Sequence, residues 1–187
     1  MSTHQPLADA PRGAAPQATA FVGLGANLGE PRAALATALA QLDRHPALQL
    51  QRVSSLYRTQ PLDAVGPDFL NAVAMLRTAL TPLQLLDCLQ AIEQAAGRER
   101  PYRNAPRTLD LDLLLYDQLR CDMPRLTLPH PRAHQRLFVL VPLVEIAPEI
   151  RIPGQGRAAD LAAALDAQGI ETLADPAWCR TSGAPPG

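Results

Sequence analysis

The sequence predicts an α+β fold, a two-layer sandwich with an antiparallel sheet and helices on one face. Three observations carry this expectation. Short apolar stretches of strand character recur along the chain, and two stretches with helical spacing separate them. Their order reads β-α-β-β-α-β, with a helical tail region after it. The chain has 187 residues and is 47% apolar, enough for one sizeable core.

Residues 1–18 are rich in Ala, Pro and Gln and lack a cationic start followed by an apolar run, so they read as a disordered tail rather than a signal peptide. Residues 19–25 (TAFVGLG) are short, apolar and end in glycines, which suggests a buried strand. The glycines of GLGANLG are assigned to a tight turn with close backbone packing. Their GxGxxxG spacing is not that of a dinucleotide site. Residues 31–42 carry Ala and Leu at helical spacing, with Pro31 suited to a first turn. Residues 48–57 read as one strand. Residues 59–68 hold two Pro, one Gly and two Asp, a long loop. Residues 69–80 alternate as a strand does, while their Ala and Leu content leaves a helix open. Thr81 is an N-cap and Pro82 a first helical residue. Leu83, Leu86, Leu89 and Ile92 share a face, and Gly97 ends that helix. Residues 98–106 are loop, 109–116 a strand, and 129–148 a turn with a short apolar helix. Residues 181–187 are a second loose tail, which leaves 19–180 as one domain. The free face of the sheet falls to the C-terminal segment or to long loops.

The formal net charge is −1, so neither a nucleic-acid coat nor an anionic-membrane binder is expected. All 17 basic residues besides histidine are Arg, which excludes Schiff-base chemistry and the P-loop lysine. No apolar run of about 18 residues predicts a membrane span. Cys88, Cys121 and Cys179 lie far apart and fit three free thiols in a reducing cytoplasm.

The densest chemistry is APRTLDLDLLLY at 105–116. On a strand, residues two apart share a face, so Asp110 and Asp112 point together with Cα atoms roughly 7 Å apart. Leu109, Leu111 and Leu113 then face the core. On a helix the two acids would lie about 200° apart and could not share a site. Parallel carboxylates repel, and a divalent cation removes that cost. All-oxygen ligands suit Mg²⁺, which takes its other ligands from water and phosphate. Just before this pair, Arg98, Arg100, Arg103 and Arg107 fall within ten residues. Guanidinium groups that grip phosphate beside a metal are the simplest shared purpose. A second basic group, Arg125, His130, Arg132, His134 and Arg136, offers phosphate or base contacts.

Residues 103–114 (RNAPRTLDLDLL) resemble the signature of the 6-hydroxymethyl-7,8-dihydropterin pyrophosphokinase family. Four further stretches agree in order: GLGANL at 23–28, SSLYRTQPL at 54–62, FLNA at 69–72 and LTLPHPRAHQRLF at 126–138. Gln90, Glu93, Gly97 and Arg98 agree as well. The resemblance implies a ferredoxin-like fold. It also implies transfer of the pyrophosphoryl group of ATP to a pterin hydroxymethyl group, with release of AMP, in folate biosynthesis. By the same resemblance, Asp110 and Asp112 are ligands of two Mg²⁺ ions. Arg98 and Arg107 act on the triphosphate, and Asp112 is also a candidate acceptor for the hydroxyl proton. Gln90, Arg100, Leu113, Arg125, Thr127, His130 and Arg136 are implied ATP-site residues. Thr59, Gln60, Leu62, Phe69, Asn71 and Phe138 are implied pterin-site residues, with the two Phe stacking on the ring faces. Asn104, Pro131, Gln60 and Phe69 depart from residues frequent in the family. The implied partners are small molecules only, and a monomer is expected. Two rival classes remain: a metal-dependent phosphodiesterase on the same acids, and a non-catalytic binding module.

Overall fold

The computed structural model describes residues 17–61, 66–97, 108–165 and 169–179. The chain begins with β1 (Ala18–Ala26), α1 (Pro31–Arg44), β2 (Leu48–Val53), β3 (Leu56–Thr59), β4 (Phe69–Thr78), α2 (Pro82–Ala95) and β5 (Asp110–Tyr116). It continues with β6 (Cys121–Met123), β7 (Leu126–Leu128) and α3 (Leu137–Ile146). β8 (Arg151–Ile152), β9 (Gly156–Arg157), α4 (Ala158–Ala163) and β10 (Ile170–Ala174) follow. The main sheet runs β10-β3-β4-β1-β5, with β2 also paired to β4, and every pairing is antiparallel.

Alternation along β1 sorts the two faces. Ala20, Val22, Leu24 and Ala26 enter a core with Leu35, Leu39 and Leu42 of α1 and Leu85, Leu89 and Ile92 of α2. Those two helices cover one face, as the sequence predicts. Phe21 points the other way, into a second core formed with Val73 and with Val139, Leu140, Leu143 and Ile146 of α3. The C-terminal segment thus supplies the cover for the second face, and α4 packs on α3.

α2 starts as its residues dictate. The Thr81 hydroxyl accepts from the Gln84 backbone N–H, and the Gln84 side chain accepts from the Thr81 N–H at 2.9 Å, a reciprocal capping box. Thr81→Ala is expected to destabilise the protein by about 1 kcal/mol. Urea unfolding with an unchanged m-value is the check, and an unaltered midpoint would show the cap to be idle.

Two departures from local periodicity shape the sheet. The single strand expected over 48–57 divides at Ser54. Its hydroxyl donates to the Ser55 carbonyl at 2.8 Å and accepts from the Val73 N–H at 3.0 Å. A side chain that competes for backbone partners ends the ladder there. β2 and β3 then pair with opposite halves of β4. The second departure is a bulge in β5: Val22 lies opposite Leu113 and Phe21 opposite Leu115, so Leu114 is an extra residue. Leu113 faces the α1/α2 core, whereas Leu114 and Leu115 both enter the α3 core. β10, unforeseen in the sequence, pairs with the outer edge of β3.

Candidate active site

Asp110 and Asp112 lie half-buried on one face of β5, and Leu109, Leu111 and Leu113 are buried on the other. The next strand supplies no side chains beside the acids. Gly25 lies opposite Asp110, and Gly23 opposite Asp112. One strand further, Gly25 faces Asn71 and Gly23 faces Val73. The assignment of Gly23 and Gly25 to a tight turn is therefore corrected: both lie inside β1, and Gly29, at φ 63°, is the one in a turn conformation. A Cβ on Gly25 would stand 3.4 Å from Asn71 Oδ1, and one on Gly23 would stand 3.4 Å from the Leu114 side chain. Two strand spacings, about 10 Å, separate Asp110 from Asn71 across Gly25.

The bulge in β5 brings in a histidine. The Leu114 carbonyl accepts from the His130 backbone N–H at 2.9 Å. That bond sets His130 Nε2 at 3.9 Å from Asp112 Oδ2. The Arg132 N–H donates to His130 Nδ1 at 3.2 Å, so in the neutral ring the proton sits on Nε2 and faces the acids. Burial pushes the His130 pKa below its usual 6.5, and Asp112 pulls it back. Arg136 pushes it down too, Asp110 raises it, and Arg132 lowers it. The imidazole is then a neutral donor at neutral pH, suited to an anionic oxygen beside the carboxylates.

On the same sheet face lie the candidates for a ring pocket. Asn71 is buried and its Nδ2 donates to Thr59 Oγ1 at 2.8 Å. Phe69 lies opposite Thr59, two residues before Asn71 and hence on Asn71's face. Phe138 stands in the first turn of α3, with the Arg136 guanidinium 5.4 Å from its ring centroid. Gln60, just past β3, is exposed.

The nucleotide-side candidates scatter more widely. Gln90 is exposed on α2. Arg125 forms an exposed ion pair with Asp87 of the same helix. Thr127 in β7 donates its hydroxyl to Asp122 at 2.8 Å. Leu113 is 3% exposed and faces the α1/α2 core, so its side chain is turned away from the acids. β5 is the last strand of the main sheet, so a nucleotide contact at Leu113 would be made by its main chain. Arg98, Arg100, Arg103, Arg107 and Leu62 lie outside the described residues.

Two side chains at the site lie within the motifs quoted above but are given no role there. Glu93 is 2% exposed and accepts from the Leu111 N–H at 2.7 Å, between the two acids along β5. A carboxylate inside the apolar stripe of α2 is the signal that marks it. Asn27, buried, donates to the Pro67 carbonyl at 3.2 Å and ties the loop after β1 to the approach to β4. Its signal is a polar residue directly after the glycine strand.

Comparison with known proteins gives the family. Residues 21–148 match the family described as 7,8-dihydro-6-hydroxymethylpterin-pyrophosphokinase. The chain is 48% identical over 154 residues to the Pseudomonas aeruginosa protein named 2-amino-4-hydroxy-6-hydroxymethyldihydropteridine pyrophosphokinase, covering 82% of this chain and 95% of that one. It is 41% identical over 132 residues to the Bacillus subtilis protein of the same name, covering 70% and 79%. Among solved structures it is similar to wild-type HPPK-DHPS of Plasmodium falciparum, with a TM-score of 0.64 and 15% identity. That match covers 79% of this chain and 44% of the Plasmodium chain, and at this identity it speaks to the fold alone.

Proposed function

The chain belongs to the 7,8-dihydro-6-hydroxymethylpterin-pyrophosphokinase family, and on that premise we propose how its residues divide the work. The fold is ferredoxin-like, and the protein is a pyrophosphokinase of folate biosynthesis that acts on 6-hydroxymethyl-7,8-dihydropterin. ATP is the proposed donor. The pterin hydroxymethyl oxygen attacks the β-phosphorus in line, the bond from that phosphorus to the α,β-bridging oxygen breaks, and AMP leaves with the hydroxyl proton lost.

Asp110 and Asp112 are the proposed ligands of two Mg²⁺ ions. Their chemistry fits: both are oxygen donors, both are half-exposed, and they share one face above a glycine floor. Among the described residues no group of three or more His, Cys, Asp or Glu could hold a metal ion, so the proposed ions would rest on these two acids, water and phosphate. Mg²⁺ held by Asp110 and Asp112 would supply charge neutralisation on phosphate oxygens and a lower pKa for the attacking hydroxyl. Asp112 is a candidate acceptor of that proton. His130 offers its Nε2–H to a phosphate oxygen. Gln90, Arg125, Thr127 and Arg136 are proposed for the nucleotide, together with Arg100 and the backbone of Leu113. Arg98 and Arg107 are proposed for the triphosphate. Asn71 and Thr59 read the polar edge of the pterin, Phe69 and Phe138 stack on it, and Gln60 and Leu62 border it.

The observation that carries this reading is the row Asp110, Gly25, Asn71. It sets a ring-sized gap across a glycine between the proposed metal ligands and the proposed polar reader. The main sheet links β1 to β10, which supports a single domain over 19–180, extended at its start by Ala18 of β1; the rest of the expected tails, 1–16 and 181–187, lies outside the described residues, and a monomer is part of the proposal. Among the described residues no helix is long and apolar enough to cross a membrane. A cytoplasmic location is part of the proposal.

The test is to incubate the protein with ATP, Mg²⁺ and the pterin alcohol. AMP and the pterin diphosphate are expected in equal amounts. A chelator should abolish both, and added Mg²⁺ should restore them. AMP formed without the pterin would favour the phosphodiesterase class instead.

A further inference from the structure

Helix α3 carries two residues on one face. Phe138 and Glu145 are seven residues apart, which returns to within about 20° of the same direction. The apolar contacts of Val139, Leu140, Leu143 and Ile146 hold this helix on the sheet. Such contacts are non-directional and do not by themselves fix how the helix slides or turns. Glu145 supplies the directional part. The Ser55 backbone N–H donates to both of its carboxylate oxygens, at 3.0 and 2.9 Å. The Ser55 hydroxyl donates to Oε1 at 2.7 Å, and the Tyr57 hydroxyl donates to Oε2 at 2.9 Å. Ser55 and Tyr57 are each 7% exposed, so their donors have few other partners.

The strand side of this clamp leads to the ring pocket. Tyr57 and Thr59 share one face of β3, being two residues apart. Thr59 in turn accepts from Asn71. Behind the clamp, Arg52 Nη1 donates to the Ile146 carbonyl at 2.9 Å, and the register shift in β2 turns Arg52 opposite Met75. On the outer side Thr172 of β10 lies opposite Tyr57. Burial first, and Glu145 second, push the Tyr57 pKa up to about 12, so this phenol stays a donor at every working pH.

We propose that Glu145 is a positioning residue for the pterin: its carboxylate sets the gap between Phe138 on α3 and the Thr59–Asn71 pair on the sheet. The proposal rests on the pterin pocket described above. Glu145 touches neither substrate. It acts by holding a stacking ring at the right distance from the polar reader, a geometry that tolerates little play.

The experiment compares Glu145→Gln, Glu145→Asp and Tyr57→Phe with the unaltered protein. It reads kcat, the KM for each substrate, pterin affinity by calorimetry, and thermal unfolding. Gln keeps the volume but replaces one acceptor oxygen with a donor, so a charge-assisted bond is lost and pterin Kd and KM are expected to rise roughly tenfold. Tyr57→Phe removes one bond and is expected to raise them by about threefold. Glu145→Asp, which keeps the carboxylate, is expected to recover part of the loss. The KM for ATP should stay within about twofold throughout, since the clamp leaves the nucleotide side alone. A lower melting temperature with unchanged pterin affinity would make the clamp structural only and overturn the proposal. Equal losses for both substrates would overturn it too. Should Glu145→Gln fail to fold, Tyr57→Phe decides. An unaltered protein that binds no pterin would instead sink the pocket reading itself.

Discussion

Asp112→Ala is expected to cut turnover by about 10³-fold or more while the protein stays folded. The two halves of that result have separate causes. The Asp112 side chain is 40% exposed, so its removal opens no cavity in either core. Substitutions at such positions usually change stability by less than about 0.5 kcal/mol. Removing one of two neighbouring carboxylates also relieves repulsion, so the unfolding midpoint should hold or rise. Turnover depends on something else. A carboxylate that helps hold a divalent cation on the phosphates is asked for several kcal/mol of transition-state stabilisation, and about 4 kcal/mol corresponds to that thousandfold. Single-turnover rates with calorimetric titration of Mg²⁺ and a non-hydrolysable ATP analogue check both. A variant that retains a tenth of the activity would remove Asp112 from the metal site.

Gly25→Val is expected to weaken pterin binding by about 10²-fold, a loss equivalent to a few kcal/mol. Its backbone does not need glycine, for its φ is not positive and it lies in a regular strand. A β-branched residue suits a strand better than glycine, so stability should change by no more than about 1 kcal/mol. The effect lies above the sheet. The new Cβ would sit 3.4 Å from Asn71 Oδ1, and the two methyl groups would rise onto the floor between Asp110 and Asn71. Calorimetry with the pterin and kinetics with varied ATP separate the sites. The KM for ATP should move much less than that for the pterin. Unchanged pterin affinity would show that the floor is not where the ring lies.

Much of the fold is legible because local periodicity is strong. The alternation of 109–113 places three Leu inward and two Asp together, and the structure shows that division. Thr81, Pro82 and Gly97 mark the second helix, which spans Pro82–Ala95. The candidate site is legible where chemistry clusters along the chain, as with the acids and the basic group around His130. It is not legible where distant segments meet. Leu113, Leu114 and Leu115 are identical letters, yet a bulge opposite Phe21 and Val22 sends one to the first core and two to the second. Gly23 and Gly25 resemble turn residues until β4 and β5 flank them. Ser54 gives no sign that its hydroxyl will divide a strand. β10 buries little and borrows its order from the edge of β3.

By itself the sequence determines which side chains share a face, where the two long helices begin, and that two acids stand side by side. Those are properties of neighbouring residues, set by the two- and 3.6-residue repeats of the backbone. Only the tertiary structure decides what the acids look across at, that His130 is bonded to a bulge beside them, and that Glu145 ties α3 to β3. Each of these depends on hydrogen bonds between residues tens of positions apart, and no local repeat encodes which strand will lie beside which.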